Sequence, residues 1–401
     1  GAVAFSVCAL VVSANEWYVD PSVADDSHDG TSSNVVSATV GPKRTLAGVM
    51  ATGVGVDDGD TVWLLPGEHK EGTMNGGSTR LLISIPNLKV KSLSGNPADT
   101  AIVGYYGTGL DHSTTYTDPE AIACIKIAAE ATGCVIEGIT LKDATARRVE
   151  SKSPNERGGG IYDLSKSCWA INCVFTNCCA YSGGGMNGGN AARCRFIDCE
   201  AYGSNDGAAM ESSGMAEYCL FLRCDQTANA RTVTGDNAVF VNCTFSGAKR
   251  AVFKGTGIRV YNSVGNLLSN KDSNGAISGS TLYPTNSLFG SLGTSTHLDE
   301  AETCLTDQTV AGLKFVYADS GDWRPLSSST AATYGDAQYL HLVSLPASYE
   351  HLDLDGRPVA TEGPIAAGCC ESVEQTGPTI KFGSEMEIEG VGTFKKNDYL
   401  Y

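Results

Sequence analysis

The strongest constraint on this chain is a spacing. Cys-x-Phe-x-x-Cys occurs at 173–178, 194–199 and 219–224, its starts 21 and then 25 residues apart. Aligned on apolar positions, WAINCVF (169–175), AARCRF (191–196), AEYCLF (216–221) and VFVNCTF (239–245) superpose Cys173, Cys194, Cys219 and Cys243, with Phe175, Phe196, Phe221 and Phe245 two residues on. A second series runs through GGGIY (158–162), GGGMN (183–187), DGAAM (206–210) and RTVTG (231–235), aligning Ile161, Met186, Met210 and Val233. A period of 21–25 residues with two short alternating segments per repeat describes a solenoid, in which each repeat buries its apolar face only against its neighbours.

Alternation expects Ile171, Cys173 and Phe175 on one face of a strand and Asn172 and Val174 on the other. Coiling parallel strands, about 4.8 Å apart, turns equivalent residues into inward ladders. One ladder is Cys173, Cys194, Cys219 and Cys243; the phenylalanines form a second, and Cys178, Cys199 and Cys224 a third. The cysteines then read as small apolar core rungs rather than a reactive centre, although neighbouring rungs are within disulfide reach. Glycine is expected at the corners, where positive φ is needed. The leucine-rich-repeat signature is absent, so the fold expected is all-β: a right-handed parallel β-helix. The 47 glycines and the charged fraction of only 18% agree with that class.

A net charge of −17 leaves no basic surplus for phosphate backbones, so nucleic acid is not an expected partner. The opening GAVAFSVCALVVSANEW carries a short apolar run ending in small residues, as in a secretory signal without its basic start, and no stretch is long enough to span a bilayer. The expected setting is therefore secreted or bacterial cell surface. Fourteen of the 15 cysteines lie beyond that run. CxxC pairs are absent and no histidine occurs from 113 to 296, which argues against zinc.

Three stretches carry resemblances. GGGI (158–161) with FTNC (175–178), and GGGM (183–186) with FIDC (196–199), resemble the GGAI…FxxN repeats of chlamydial polymorphic outer-membrane proteins, with Cys in place of their Asn. EWYVDPSVADDSHDGTSS (16–33), PKRTLAGVMATGV (42–54) and DDGDTVWLLPGEHKEGT (57–73) resemble the opening of secreted bacterial pectin-lyase-like β-helix proteins. On that resemblance, 45–54 forms an N-terminal capping helix. DWRPLSSSTAATYGDA (322–337) and HLDLDGRPVATEGPIAAGCCES (351–372) resemble their closing segment in part. The expected division is a signal-peptide remnant (1–14), cap and first coils (15–123), β-helix core (124–296), C-terminal coils and closing segment (297–372), and a linker with the start of a further β-rich module (373–401).

Such scaffolds host lyases, hydrolases, adhesins and spacers, so function has to come from sites. The Asn-Thr-Asp, Asp-Asp, Gly-His-Gly and Arg-Ile-Lys set of polygalacturonases is absent, as is the Trp-x-Asp-His signature of pectate lyases. The residues after Ile161, Met186, Met210, Val233 and Phe253 form an outward lane: Tyr162, Asn187, Glu211, Thr234 and Lys254. Asn187 and Glu211 on adjacent coils could hold Ca²⁺, with Lys254, Arg193 or Arg223 as a proton-abstracting base beside a uronate. Tyr162, Tyr181, Tyr202, Tyr218 and Arg195 could instead hold a glycan, aromatic faces stacking on sugars and guanidinium groups pairing with carboxylates. Asp25, Asp26 and Asp29 form a second acidic loop open to Ca²⁺. The loop 144–160, with Arg147, Arg148, Lys152 and Arg157, is the expected wall of an anionic-glycan groove. The reading that follows is an adhesin-like or glycan-binding protein whose partner is an extracellular polysaccharide or host or cell-surface glycan, with no required cofactor. The alternatives are a Ca²⁺-dependent polysaccharide lyase and a structural surface spacer.

Overall fold

A computed structural model describes residues 14–374 and parts of 380–400, apart from 107–119, 147–156, 203–206, 213, 225–230, 249–251, 266–281, 291–302, 306–307, 309–311, 318–321 and 375–379. The signal-like run and most of the loop 144–160 therefore lie outside the described residues.

The chain winds as a right-handed parallel β-helix with three sheets, so each coil carries three strands where the sequence suggests two. Among the described residues the first sheet has ten strands, from Glu16–Val19 through Trp169–Ile171 to Leu282–Thr285. The second also has ten and contains Val174–Ala180, Arg195–Ile197 and Leu220–Leu222. The third has seven, from Thr79–Ile83 to Phe253–Lys254. Neighbouring strands in all three pair in parallel; Phe175↔Phe196↔Phe221↔Phe245 and Ile161↔Met186↔Met210↔Val233↔Phe253 share register.

The extra sheet arises at a corner. Asn172, Arg193, Tyr218, Asn242 and Asn262 all have φ between 48° and 54°, and break what reads as one strand into two. A second series, Asp143, Asn177, Asp198 and Arg223, bends the coil again at φ 50–51°. Short polar side chains tolerate this left-handed region better than other non-glycine residues. At these two corners other residues stand where glycine is expected, whereas at the corner entering the third sheet Gly158 and Gly183 do have positive φ, 62° and 65°. The facing expected of Ile171 is corrected: the break at Asn172 resets the alternation, and Ile171 packs outward with Trp169, Val241 and Leu340, while Ala170, Cys173 and Phe175 fill the interior.

Inside, the phenylalanines stack at centroid distances of 4.5, 5.0 and 4.6 Å with planes within 6° of parallel. Each ladder cysteine is fully buried, and its thiol donates to carbonyls left at the corner. Cys173 Sγ lies 3.4 Å from Ile136 O and from Ile171 O, and Cys194 Sγ 3.3 Å from Ala170 O and from Ala192 O. Ser263 and Ser287 occupy the same step in later coils and donate in the same way, to Tyr261 O and Thr285 O. The rung thus requires a small side chain with a donor. All fourteen cysteines from Cys124 onward are free thiols, and burial pushes the Cys173 and Cys194 thiols well up.

The cap is one helical turn, Leu46–Val49, shorter than the 45–54 expected. Thr45 accepts from Gly48 N, and Leu46 and Val49 plug the first coil.

The C-terminal segment differs from the coils expected over 297–372. Among the described residues, it joins the solenoid sheets only at an isolated bridge, Leu288↔Leu305. Asp322–Pro325 pairs antiparallel with Phe315–Tyr317, and Gly335–Asp336 with Pro364–Ile365. The segment then runs back along the solenoid as a strap over the outer face of the first sheet and its corner. Asn262 Nδ2 donates to Asp336 O (2.8 Å), Asn242 Nδ2 to Ala366 O (2.7 Å) and Tyr349 Oη to Glu137 (2.5 Å). The turn Asp353–Arg357 is built around the fully buried Asp353 carboxylate, which accepts from Arg357 and from the backbone of Asp355 and Glu371.

Candidate functional site

The third sheet carries the outward lane. Register pairing places Lys126, Tyr162, Asn187, Glu211, Thr234 and Lys254 side by side on successive coils. Rung spacing of about 4.8 Å puts Glu211 and Lys254, two coils apart, at about 10 Å. Two clefts open along this lane. One of about 190 Å³ is bounded by Ser78, Lys126, Arg157 and Tyr162. The other, of about 570 Å³, is bounded by Arg157, Lys166, Asn187, Glu211, Asp236 and Lys254. Arg157 lines both, so the two clefts share a wall and follow one lane as a groove. Gly188, Gly214, Gly235 and Gly255 line the larger cleft. Without side chains there, the backbone forms a shallow floor a sugar ring can approach.

The local chemistry is orderly. Ser182, directly before the triple glycine, is bridged to Arg157 across adjacent coils. Its hydroxyl donates to the Glu211 carboxylate and accepts from Asn187 Nδ2 at 3.1 Å. This relay aims Glu211 and holds Asn187, which is 7% exposed. Partial burial raises the Tyr162 pKa, with Arg157 pulling it the other way, so its hydroxyl stays protonated and can donate. Tyr181 and Tyr202 meet edge to face at 5.7 Å beside the entry to the third sheet.

The expected candidates separate. Lys254 lines the groove with Glu211 and Asn187. Arg193 and Arg223 sit at the other corners of the coil, so the structure does not bring the three proposed bases together. Arg223 donates to both Asp198 oxygens from one guanidinium edge, through Nε and Nη2 at 2.8 and 2.7 Å, and that pairing raises its pKa, leaving it a poor base. Arg195 pairs with Asp355 of the strap at 3.0 Å. Tyr218 was expected to face a ligand; it is instead fully buried beneath the strap, with its hydroxyl on Glu371 at 3.2 Å. Asp25, Asp26 and Asp29 do not converge. Asp25 and Asp29 accept from the backbone two residues on, and Asp26 accepts from Thr45 N and Oγ1. Among the described residues no three His, Cys, Asp or Glu side chains come together as a metal site. Arg147, Arg148 and Lys152 lie outside the described residues.

Sequence reasoning overlooked Lys126, Lys166, Asp236 and Ser182. Lys126 was legible, since ACIKI (123–127) repeats the lane one coil earlier. Lys166 and Asp236 sit in turns, where no period marks them.

The strap carries a titratable contact. His351 Nδ1 lies 2.6 Å from Glu217 Oε1, and Glu217 Oε2 is buried without a hydrogen bond among the described residues. The bond to Glu217 raises the His351 pKa; burial raises that of Glu217, although His351 pulls it down. The stabilisation from a raised histidine is complete below its ordinary pKa of about 6.5 and is lost as pH rises through the raised value. Glu217 acts in the same sense, because its ionisation is harder in the folded chain. Backbone amides of 337–373 should thus lose exchange protection as pH rises above the ordinary histidine pKa of about 6.5, beyond the intrinsic rate change, and His351→Gln should flatten that dependence. Protection independent of pH would contradict the contact.

No family model matches the chain, and no curated protein matches it. Among solved structures it is similar to pectate lyase Pel9A (11% identity, TM-score 0.45, covering 90% of this chain and 98% of that one). It is also similar to pectin methylesterase PemA from Erwinia chrysanthemi (13%, TM-score 0.33, 78% and 99%) and to a rhamnogalacturonan lyase (15%, TM-score 0.31, 69% and 68%). With TM-scores below 0.5 these are distant likenesses, and the parallel β-helix rests on the strand pairing described above; the comparisons lend no support to the chlamydial resemblance.

Proposed function

We propose that the chain is a glycan-binding, adhesin-like protein of a secreted or cell-surface setting, and that the third-sheet groove holds an extended acidic polysaccharide. One observation carries this reading. On a chain of net charge −17, the groove gathers four cations, Lys126, Arg157, Lys166 and Lys254, against two carboxylates, Glu211 and Asp236. A lane of stacked coils suits an extended polyanion, which can meet several of these cations along its length. The glycine floor and Tyr162 add apolar sugar contacts.

Titration calorimetry with oligogalacturonate tests this. Binding should weaken with salt, as expected for exposed charges separated by less than a Debye length of about 8–10 Å. Arg157→Gln with Lys254→Gln should lower affinity about tenfold, equivalent to about 1.4 kcal/mol. Arg223→Gln should leave it unchanged. Glu211→Gln should tighten binding by removing a repulsion. Absence of saturable binding to oligogalacturonate, alginate and chondroitin sulfate would overturn the proposal.

The second reading, a Ca²⁺-dependent lyase, is favoured by one feature: Glu211 and Asn187 on adjacent coils, facing the groove that Lys254 also lines. Its signature would be Ca²⁺-dependent, chelator-sensitive growth of ultraviolet absorbance from unsaturated sugar ends, abolished by Glu211→Gln.

A further inference from the structure

A second cleft lies at the opposite side of the coil, between the solenoid and the strap. It holds about 320 Å³ and is bounded by the loop Gly95–Pro97, the steps Asn172 and Arg193, Arg195, and the strap hairpin at Asp355 and Gly356. The corner residues of this register explain why it stands out. Asn172 donates to Gly95 O at 3.0 Å, Tyr218 to Glu371, Asn242 to Ala366 O and Asn262 to Asp336 O. Each of these polar side chains is spent on the loop or the strap. Arg193 occupies the same step, at φ 54°, and its guanidinium makes no hydrogen bond or ion pair with any described residue. Two residues on, Arg195 faces the same cleft and is only singly engaged, by Asp355 Oδ1.

We propose that this cleft is a binding site for a compact oxyanion, a carboxylate or sulfate group, held by Arg193 and Arg195. The chemistry follows from the donor set. A guanidinium presents five N–H groups in a planar fork that matches a carboxylate or sulfate edge. A second guanidinium from the same coil, in a recess walled by the strap, supplies the complementary charge. Asp355 is the intramolecular competitor: its carboxylate occupies part of Arg195 and opposes an incoming anion. The site is separate from the third-sheet groove and does not depend on the reading given for that groove.

Calorimetric titration of the full chain with sodium sulfate and, separately, sodium galacturonate, against sodium chloride at matched ionic strength, tests it. One-site saturable binding of either anion is expected. Arg193→Gln should weaken it at least tenfold. Arg193→Lys should give an intermediate loss, because it keeps the charge and loses the fork. Asp355→Asn should tighten binding several-fold by removing the competitor. Thermal midpoints of the variants, compared with wild type, establish that each is folded. If sulfate binds and galacturonate does not, the site takes a tetrahedral oxyanion; if galacturonate binds more tightly, it takes a sugar acid. Absence of saturable binding by both anions would overturn the proposal. So would binding that a folded Arg193→Gln variant retains in full.

Discussion

Phe196→Ala is expected to destabilise the chain by about 3–5 kcal/mol. Phe196 lies in the middle of the stack, with Phe175 at 4.5 Å on one side and Phe221 at 5.0 Å on the other, and it is fully buried. Removing the ring leaves a cavity between two flat neighbours, which the rung spacing holds apart; the parallel backbones on either side are hydrogen-bonded at fixed register and cannot close it. Its edge also packs on Gly185 and thereby seats the third-sheet strand of the same coil. Denaturant unfolding monitored by far-ultraviolet circular dichroism gives the loss as a shift in midpoint at constant slope. A loss below about 1 kcal/mol would mean that the ladder does not carry the core.

Gly184→Ala is expected to cost more than about 4 kcal/mol, in the range that usually abolishes a marginal fold. A Cβ there would stand 2.0 Å from Glu200 O and 2.6 Å from Ala208 O. Both atoms are backbone, so no rotamer relieves the overlap and adjacent coils would have to separate. Gly59 supplies the contrast. Its φ is +79° and nothing lies within 4 Å of the added atom, so Gly59→Ala should cost only about 1–2 kcal/mol, the left-handed penalty alone. Soluble yield and denaturation midpoints of the two variants separate close approach from backbone strain. If the two fell together, close packing of coils at the triple glycine would be the wrong explanation.

That triple glycine shows what the sequence makes legible. The period, the cysteine and phenylalanine ladders and the register Ile161, Met186, Met210, Val233 and Phe253 all follow from side chains that must repeat because each stacks on its own counterpart. Glycine was read as a corner residue, yet only Gly183 of the three has positive φ; Gly184 and Gly185 are there because a neighbouring coil leaves no room. Conversely, Arg193 and Tyr218 give no hint of left-handed backbone, and only the structure shows that they end a strand. The strap was hardest to foresee. Its contacts join residues 74 to 212 positions apart, such as Asn262 with Asp336 and Glu137 with Tyr349, and each is made once, so no periodicity marks them. Tyr218 therefore reads from sequence as an outward residue, whereas the strap covers it. The groove stands between these cases: its floor lane repeats and is readable, whereas Lys166 and Asp236 lie in turns.

The most direct test of the account is hydroxyl-radical footprinting of the full chain with and without saturating oligogalacturonate. The groove reading predicts protection of Tyr162, Lys126 and Lys254, with the strap face around Tyr349 unchanged. Protection confined to the strap face, or none anywhere under conditions that saturate binding, would contradict it.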